Sequence, residues 1–263
     1  MNGPDANGVA SGPEAGGVAS GPGAGGAASG PGAGGVPPER VCVALDVPTL
    51  AEAEALAARL AGAVGWFKVG LELFAAHGPE AVRALRPHGP VFLDVKLHDI
   101  PTQVGRTARR IAALDVGLLT VHAAGGQDMV RAAVEGLAEG GGQGRVLAVT
   151  VLTSMSGDDL ASINAPSADV QVPALARLAV AAGAPGLVCA PRDLPRVRDA
   201  VGGEPMLVTP GIRPAGGTDD DHARAATPQR ALADGADLLV IGRPITRAED
   251  PRSAAEALTH AES

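Results

Sequence analysis

From about residue 39 onward, the chain alternates short apolar runs with segments of helical spacing. Each apolar run is hydrophobic nearly throughout, which is typical of parallel strands covered on both faces. The runs span 41–45, 66–69, 91–95, 118–121, 146–151, 186–189, 206–209 and 238–241. The helical segments are clearest at 49–61, 103–113, 127–138, 172–182 and 252–260.

This pattern predicts a single (β/α)8 TIM barrel of the α/β class, because eight strands alternate with helices over about 225 residues. An open, doubly wound sheet is the structural alternative. Such a sheet normally carries a Gly-rich sequence after its first strand, whereas Leu45 is followed here by Asp46-Val47-Pro48. Thr49 and Glu52 have the spacing of a capping box and predict the start of the first helix.

A repetitive segment precedes the predicted barrel. Residues 9–35 are three near-copies of a nine-residue unit made mostly of Gly, Ala, Pro and Ser. These residues bury too little apolar surface to offset the entropy lost on ordering. We therefore predict a disordered tail over 1–38 and one catalytic barrel domain over 39–263.

Composition and charge exclude several classes of partner. The chain has 263 residues, of which 21 are basic and 29 acidic, so its net charge is −8. An acidic protein repels phosphate backbones and anionic membranes, and no apolar run approaches the ~18 residues of a membrane span. Two distant cysteines fit neither a disulfide scaffold nor a zinc site. With no secretory signal pattern at the N-terminus, we expect a cytoplasmic protein without nucleic-acid, membrane or metal partners.

The chain uses arginine far more often than lysine. Only Lys68 and Lys96 are lysines, which leaves 21 − 2 = 19 arginines. Arginine cannot release its proton near neutral pH, whereas surroundings can tune a lysine. The two lysines are therefore candidates for chemistry, although chance retention at two unimportant positions is the simpler alternative.

Charged residues gather where the predicted strands end, which is where such barrels carry their sites. Asp46 follows the first strand, Lys68 lies in the second, Asp94 and Lys96 end the third, and Asp99 follows in the next loop. Adjacent opposite charges lower the cost of desolvation, and flanking carboxylates favour a charged lysine. A purely structural ion-pair network would have the same sequence pattern.

The loops after strands 7 and 8 suggest phosphate binding. They contain Gly211 and Arg213 in the first case and Gly242 and Arg243 in the second. Glycine permits close backbone approach, and arginine offers a forked set of charged donors. The long loop 211–227 contains Gly216-Gly217 and could close as a lid.

The stretch FLDVKLHDIP at 92–101, with its Asp-x-Lys-x-x-Asp signature, resembles the orotidine 5′-phosphate decarboxylase family. Further stretches that resemble the family occur in the same order along the chain. They are ALDVP (44–48), FKVGLELF (67–74), TVHAAGG (120–126), AVTVLTS (148–154), VTPGIRP (208–214) and VIGRPIT (240–246).

The resemblance implies that orotidine 5′-phosphate loses CO₂ to give UMP, without a metal or an organic cofactor. It implies that Lys96 is the general acid that protonates C6 and that Asp94 lies against the substrate carboxylate. The resemblance also implies a homodimer in which Asp99 reaches the ribose and the charged lysines, Lys68 and Lys96, of the other subunit. The implied substrate-binding residues are Asp46 and Lys68 at the ribose, Thr153 at the pyrimidine, and Arg213, Gly242 and Arg243 at the phosphate.

The chain departs from the family pattern at two places. His222 stands where the family usually has a Gln that ties the lid to the phosphate, and it is expected to donate there instead. Thr102-Gln103 replaces the usual Asn-Thr, which puts interface contacts near Gln103 in question. Two alternatives stay open: a Mg²⁺-dependent sugar-phosphate enzyme that shares Asp-x-Lys-x-x-Asp, and a catalytically silent barrel that binds a phosphate ligand.

Overall fold

Eight parallel strands close into one barrel in the order β1 to β8 in the computed structural model, which describes residues 35–213 and 226–259. These ranges all belong to one compact unit, Ala33–Ser263. The strands are β1 (Val41–Ala44), β2 (Trp66–Val69), β3 (Val91–Leu97), β4 (Leu118–His122), β5 (Arg145–Val149), β6 (Gly186–Val188), β7 (Met206–Pro210) and β8 (Leu238–Ile241). The predicted barrel is confirmed. Residues 1–34 of the predicted disordered tail 1–38 lie outside the described ranges. For 35–38 the prediction is wrong, because Val36 is buried in the core and its N–H donates to Leu258 O at 3.1 Å.

Helices follow the strands around the barrel. They are α1 (Leu50–Leu60), α2 (Leu71–His77), α3 (Pro79–Leu85), α4 (Pro101–Ala112), α5 (Gln127–Glu139), α6 (Gly157–Ser162), α7 (Ala168–Ala181), α8 (Leu194–Val201), α9 (Pro228–Ala233), α10 (Arg243–Thr246) and α11 (Pro251–Thr259). Short 3₁₀ turns lie at Pro38–Arg40, Arg86–His88, Ala123–Gly125 and Pro191–Asp193. The predicted start of the first helix is confirmed, because Thr49 Oγ1 accepts a hydrogen bond from Glu52 N at 3.2 Å.

Two apolar cores hold the barrel together. The larger one lies between the strands and the helices, and a smaller cluster belongs to alternate strand positions, which point inward. The inner cluster consists of Cys42, Ala44, Phe92, Leu118, Leu147, Val208, Leu238 and Val240. Lys68, Asp94 and Thr120 continue the inward-facing positions of β2, β3 and β4 toward the strand ends. Polar side chains therefore cap the apolar interior at the carboxyl end of the barrel.

Glycines bring α4 and α5 into backbone contact just after the charged loop that contains Asp99. A Cβ added at Gly136 would overlap the carbonyl oxygen of Gly105. A Cβ added at Gly105 would lie 3.1 Å from the carbonyl oxygen of Ala132. The two helices pack this closely only because neither glycine has a side chain, and this contact fixes the helix that begins at Pro101.

We expect Gly136→Ala to lower the free energy of unfolding by about 1–3 kcal/mol, because the added methyl group overpacks the α4–α5 contact. In a helix with free space around the glycine, Gly→Ala stabilises the fold by about 1 kcal/mol. A loss of stability in Gly136→Ala would therefore indicate overpacking. Urea denaturation followed by circular dichroism measures the effect. Gly157→Ala is the matched control, since a Cβ there meets no atom within 4 Å. Equal midpoints for the two variants would contradict the packing argument.

Candidate active site

A cavity of about 350 Å³ opens at the carboxyl ends of the strands. Among the described residues, all the site residues predicted from sequence line it except Asp99, and His222 lies outside the described residues. These lining residues are Asp46, Lys68, Asp94, Lys96, Thr153, Arg213, Gly242 and Arg243. Apolar side chains, among them Phe92, Val188 and Val240, complete the wall. The cavity therefore combines an apolar surface with a few placed charges, which is the usual composition of a small-molecule site.

Four of these side chains form a continuous row of alternating charge. Lys68 Nζ lies 3.1 Å from Asp46 Oδ1 and 3.6 Å from Asp94 Oδ2, and Lys96 Nζ donates to Asp94 Oδ1 at 2.8 Å. The Lys68 and Asp94 side chains are only 9% and 13% exposed, whereas Asp46 is 60% exposed. Each inner charge has an opposite charge beside it, which offsets the cost of removing it from water.

A bulge in β3 places Lys96. Leu93 pairs with Leu119 and Leu97 pairs with Val121, so three residues of β3 lie opposite Thr120 alone. Lys96 has a φ of 48°, a left-handed conformation that costs about 1–2 kcal/mol for a residue with a side chain. A regular strand would already put Asp94 and Lys96 on one face. The bulge turns the lysine amine back onto the Asp94 carboxylate.

Thr120 on β4 bridges the two ends of this bulge. Its buried hydroxyl donates to Asp94 Oδ1 at 2.9 Å and accepts from Lys96 N at 2.9 Å. Sequence reasoning did not single out this residue, although it is the polar side chain within the otherwise apolar run 118–121.

The absence of a side chain at Gly70 leaves space for the ion pair between Asp46 and Lys68. A Cβ at Gly70 would lie 2.7 Å from Asp46 Oδ1 and 3.1 Å from Lys68 Nζ. A side chain at this position would therefore push the carboxylate and the amine away from each other or into the cavity. Sequence reasoning also passed over Gly70, since a glycine after a strand is ordinary loop chemistry.

Two histidine rings lie beside the row of charges. The ring centroids of His98 and His122 are 5.3 Å apart, with the planes tilted by 41°. Burial lowers the pKa of His122, and its interactions with His98 and Lys96 lower the pKa further. His122 is therefore biased toward its neutral form, which avoids placing another cation beside Lys96.

Asp99 stands apart from the lysines of its own chain. Its side chain is exposed, accepts a hydrogen bond from Ile100 N at 2.6 Å, and forms no ion pair with Lys68 or Lys96 in the described structure. The neighbouring Ile100 is 63% exposed, which is unusual for a large apolar side chain. An exposed carboxylate and an exposed isoleucine thus lie next to each other after β3.

The opposite side of the cavity carries the two arginines. Arg213 follows β7, and Arg243 begins the short helix α10 directly after Gly242. Arg213 N donates to Ala226 O at 3.1 Å, and Ile212 forms a β-bridge with Ala226. These contacts join the two ends of the segment 214–225. The segment, with Gly216-Gly217 and His222, lies outside the described residues, so the lid and the His222 contact stay predictions.

Three further features of the described residues concern metal ligands, membrane-spanning helices and free thiols. No group of three or more His, Cys, Asp or Glu side chains there has the geometry to hold a metal ion. No helix of the described part is long and apolar enough to cross a membrane. Burial raises the pKa of both the Cys42 and the Cys189 thiol, that of Cys189 to about 12. A raised pKa and burial disfavour the thiolate, which is the reactive form of a cysteine.

The chain is similar to known proteins over most of its length. The profile of the Orotidine 5′-phosphate decarboxylase / HUMPS family matches residues 39–258. An orotidine 5′-phosphate decarboxylase of Anaeromyxobacter dehalogenans is 56% identical over 224 residues, which cover 84% of this chain and 97% of that protein. A protein of the same name from Thermobifida fusca is 53% identical over 222 residues, covering 83% and 93%. The crystal structure of orotidine 5′-phosphate decarboxylase from Lactobacillus acidophilus aligns with a TM-score of 0.74 and 36% identity, covering 83% and 96%.

Proposed function

The chain belongs to the orotidine 5′-phosphate decarboxylase / HUMPS family, and from that premise we propose how its cavity performs the decarboxylation. The enzyme is a carboxy-lyase that converts orotidine 5′-phosphate to UMP and CO₂ in pyrimidine biosynthesis. Its close relatives carry the decarboxylase name, which favours this reaction over that of a Mg²⁺-dependent sugar-phosphate enzyme.

Lys96 is the proposed proton donor. The bond between C6 and the carboxylate breaks, CO₂ leaves, and the electron pair stays on C6 as an sp² carbanion with no adjacent electron sink. The ammonium of Lys96 stabilises that charge as it develops and then delivers a proton to C6, after which solvent reprotonates the amine. A preorganised cation is effective here because it needs no reorganisation during the reaction.

Asp94 positions the proton donor, and the positive charge of Lys68 lies on the other side of the Asp94 carboxylate. Asp94 Oδ1 holds Lys96 Nζ at 2.8 Å, so the carboxylate of a bound substrate would lie beside a carboxylate of the enzyme. This proximity disfavours the bound substrate relative to the state in which CO₂ has left. Asp46 and Lys68, hydrogen-bonded at 3.1 Å, are the proposed partners of the ribose hydroxyls.

The arginine side of the cavity is the proposed phosphate site, with Arg213, Gly242 and Arg243 as its ligands and His222 as a further donor. Thr153 lines the same cavity and is proposed to contact the pyrimidine. Guanidinium groups suit a phosphate, because they offer charged donors in a planar fork. Binding this remote group can supply free energy for assembling the charges around C6.

We propose a homodimer in which Asp99 of each chain completes the site of the other. The support is the exposure of both Asp99 and Ile100 after β3, since an exposed apolar side chain next to a functional carboxylate fits an interface. We further propose a cytoplasmic location, in which the unpaired thiols of Cys42 and Cys189 stay reduced.

The catalytic domain is proposed to span 39–263, which agrees with the family match over 39–258. Residues 1–38 are proposed to take no part in the chemistry. Organic cofactors and metals are proposed to be unnecessary, because Lys96 and its neighbours supply both the charge and the proton.

The observation that carries the mechanism is the row Asp46–Lys68–Asp94–Lys96 inside one cavity. We expect EDTA-treated protein to consume orotidine 5′-phosphate, seen as loss of its ultraviolet absorbance, at the rate of untreated protein. Orotidine without the phosphate should react with a kcat/KM about 10²- to 10⁴-fold lower, the equivalent of two hydrogen bonds to a charged group. Activity that EDTA abolishes and Mg²⁺ restores would contradict the metal-free mechanism.

A further inference from the structure

The bulge in β3 leaves a gap in the hydrogen bonding between β3 and β4. Pairing stops after Leu93–Leu119 and resumes at Leu97–Val121. Residues within a bulge lose their regular ladder partners, so a polar group from elsewhere must satisfy them. The backbone N–H of Lys96 donates to the side chain of Thr120 at 2.9 Å. A hydroxyl group has therefore taken the place of a backbone acceptor at the residue that carries the reactive amine.

The same hydroxyl also donates a hydrogen bond. Its one proton goes to Asp94 Oδ1 at 2.9 Å, which also accepts from Lys96 Nζ at 2.8 Å. Thr120, Asp94 and Lys96 thus form a closed ring through the lysine backbone at one end and the lysine amine at the other. Thr120 is completely buried, so water does not reach its hydroxyl in this structure.

We propose that Thr120 is a positioning residue for Lys96: its hydroxyl holds the lysine in the left-handed conformation that aims Nζ at Asp94. The inference rests on the proposed function, in which Lys96 protonates C6. Thr120 is not among the residues that line the cavity, so it acts through Lys96 and Asp94 and not by touching the substrate.

The conformation of Lys96 depends on the Thr120 hydroxyl because that conformation is energetically unfavourable. A left-handed φ of 48° at a residue with a side chain persists only where its surroundings enforce it. Without the hydroxyl, the Lys96 N–H has no acceptor and Asp94 loses one of its two donors. The backbone can then relax toward an ordinary strand conformation and carry Nζ away from the carboxylate. Displacement of a catalytic group by about 1 Å can cost on the order of 10²-fold in rate.

Kinetics of three variants test the proposal. Thr120→Val keeps the shape and removes the hydroxyl, and we expect kcat to fall about 10- to 150-fold, the range for a lost hydrogen bond to a charged group, with KM nearly unchanged. Thr120→Ser restores the hydroxyl and should recover most of kcat. Thr209→Val is the matched control, because Thr209 is equally buried and its hydroxyl donates at 2.8 Å to Cys189 O, away from the row of charges. Unchanged kcat in Thr120→Val, or an equal loss in Thr209→Val, would overturn the proposal.

A spectroscopic readout separates this proposal from the proposed function. The chain has only two lysines, so protein labelled with [¹⁵N]lysine has two lysine amide signals, and Lys96→Arg identifies the one from Lys96. In Thr120→Val the Lys96 amide proton should move upfield, as expected when a hydrogen bond is lost, while Thr209→Val leaves it in place. A Lys96 signal that Thr120→Val does not move refutes the positioning role. Wild-type protein that leaves orotidine 5′-phosphate intact refutes the proposed function instead, and the spectrum still decides the role of Thr120.

Discussion

Lys96→Ala is expected to lower kcat by about 10⁴-fold or more, because it removes both the proton donor and the cation that stabilises the C6 carbanion. The product UMP should still bind within a few fold of wild type, since the arginine side of the cavity is untouched. Loss of orotidine 5′-phosphate absorbance gives the rate, and titration with UMP gives the affinity. The two measurements together separate a loss of chemistry from a loss of the site.

Lys96→Arg separates the two roles of the lysine. Arginine keeps a positive charge near Asp94 but does not release a proton at neutral pH. The variant should therefore remain severely impaired, although its fold and its pairing with Asp94 are preserved. Arg83→Ala, at a side chain that is 60% exposed on α3, serves as the control for replacing a cation and should keep full activity. Turnover by Lys96→Ala within about tenfold of wild type would contradict the assignment of Lys96 as the general acid.

Periodicity was sufficient to predict the barrel, but the ends of its strands depend on details that hydropathy does not report. The run 146–151 predicted a longer fifth strand, whereas β5 is Arg145–Val149. Val151 is buried outside the strand, so its apolar character reflects packing of the following loop. β3 extends beyond the predicted 91–95 to Leu97, because pairing with β4 resumes after the bulge. A bulge of this kind has no signature in the residue types.

The four charged residues of the row could be predicted from the sequence, because lysine is rare in this chain and occurs only there. A chain that uses arginine for 19 of its 21 basic residues and keeps lysine only at two strand positions marks those positions. The sequence did not indicate the role of Thr120, because threonine is a common strand residue and its role arises only from the bulge opposite it. Asp99 poses another difficulty. Its neighbours within one chain do not include the lysines, so a partner chain is the proposed source of its contacts.

Asp99→Ala is expected to reduce kcat/KM by about 10²-fold or more if the carboxylate completes the charge array of a second subunit. The exposed side chain of Asp99 makes no ion pair with either lysine in the described structure, so the folded state of an isolated chain should tolerate the change. The variant should unfold at the same denaturant concentration as wild type. Steady-state kinetics and urea denaturation of the same preparation measure both effects.

Mixing two inactive variants distinguishes a contribution across the interface from one within a chain. When Lys96→Ala and Asp99→Ala chains are refolded together in equal amounts, about half of the dimers are mixed, and each mixed dimer contains one site with both residues. Activity should therefore rise to about a quarter of wild type. Asp94→Ala mixed with Lys96→Ala is the matched control and should stay inactive, because Asp94 and Lys96 are hydrogen-bonded within the same chain. A mixture of Lys96→Ala and Asp99→Ala that is no more active than its separate components would place Asp99 outside the partner's site, since only an exchange of residues between subunits can regenerate a complete array.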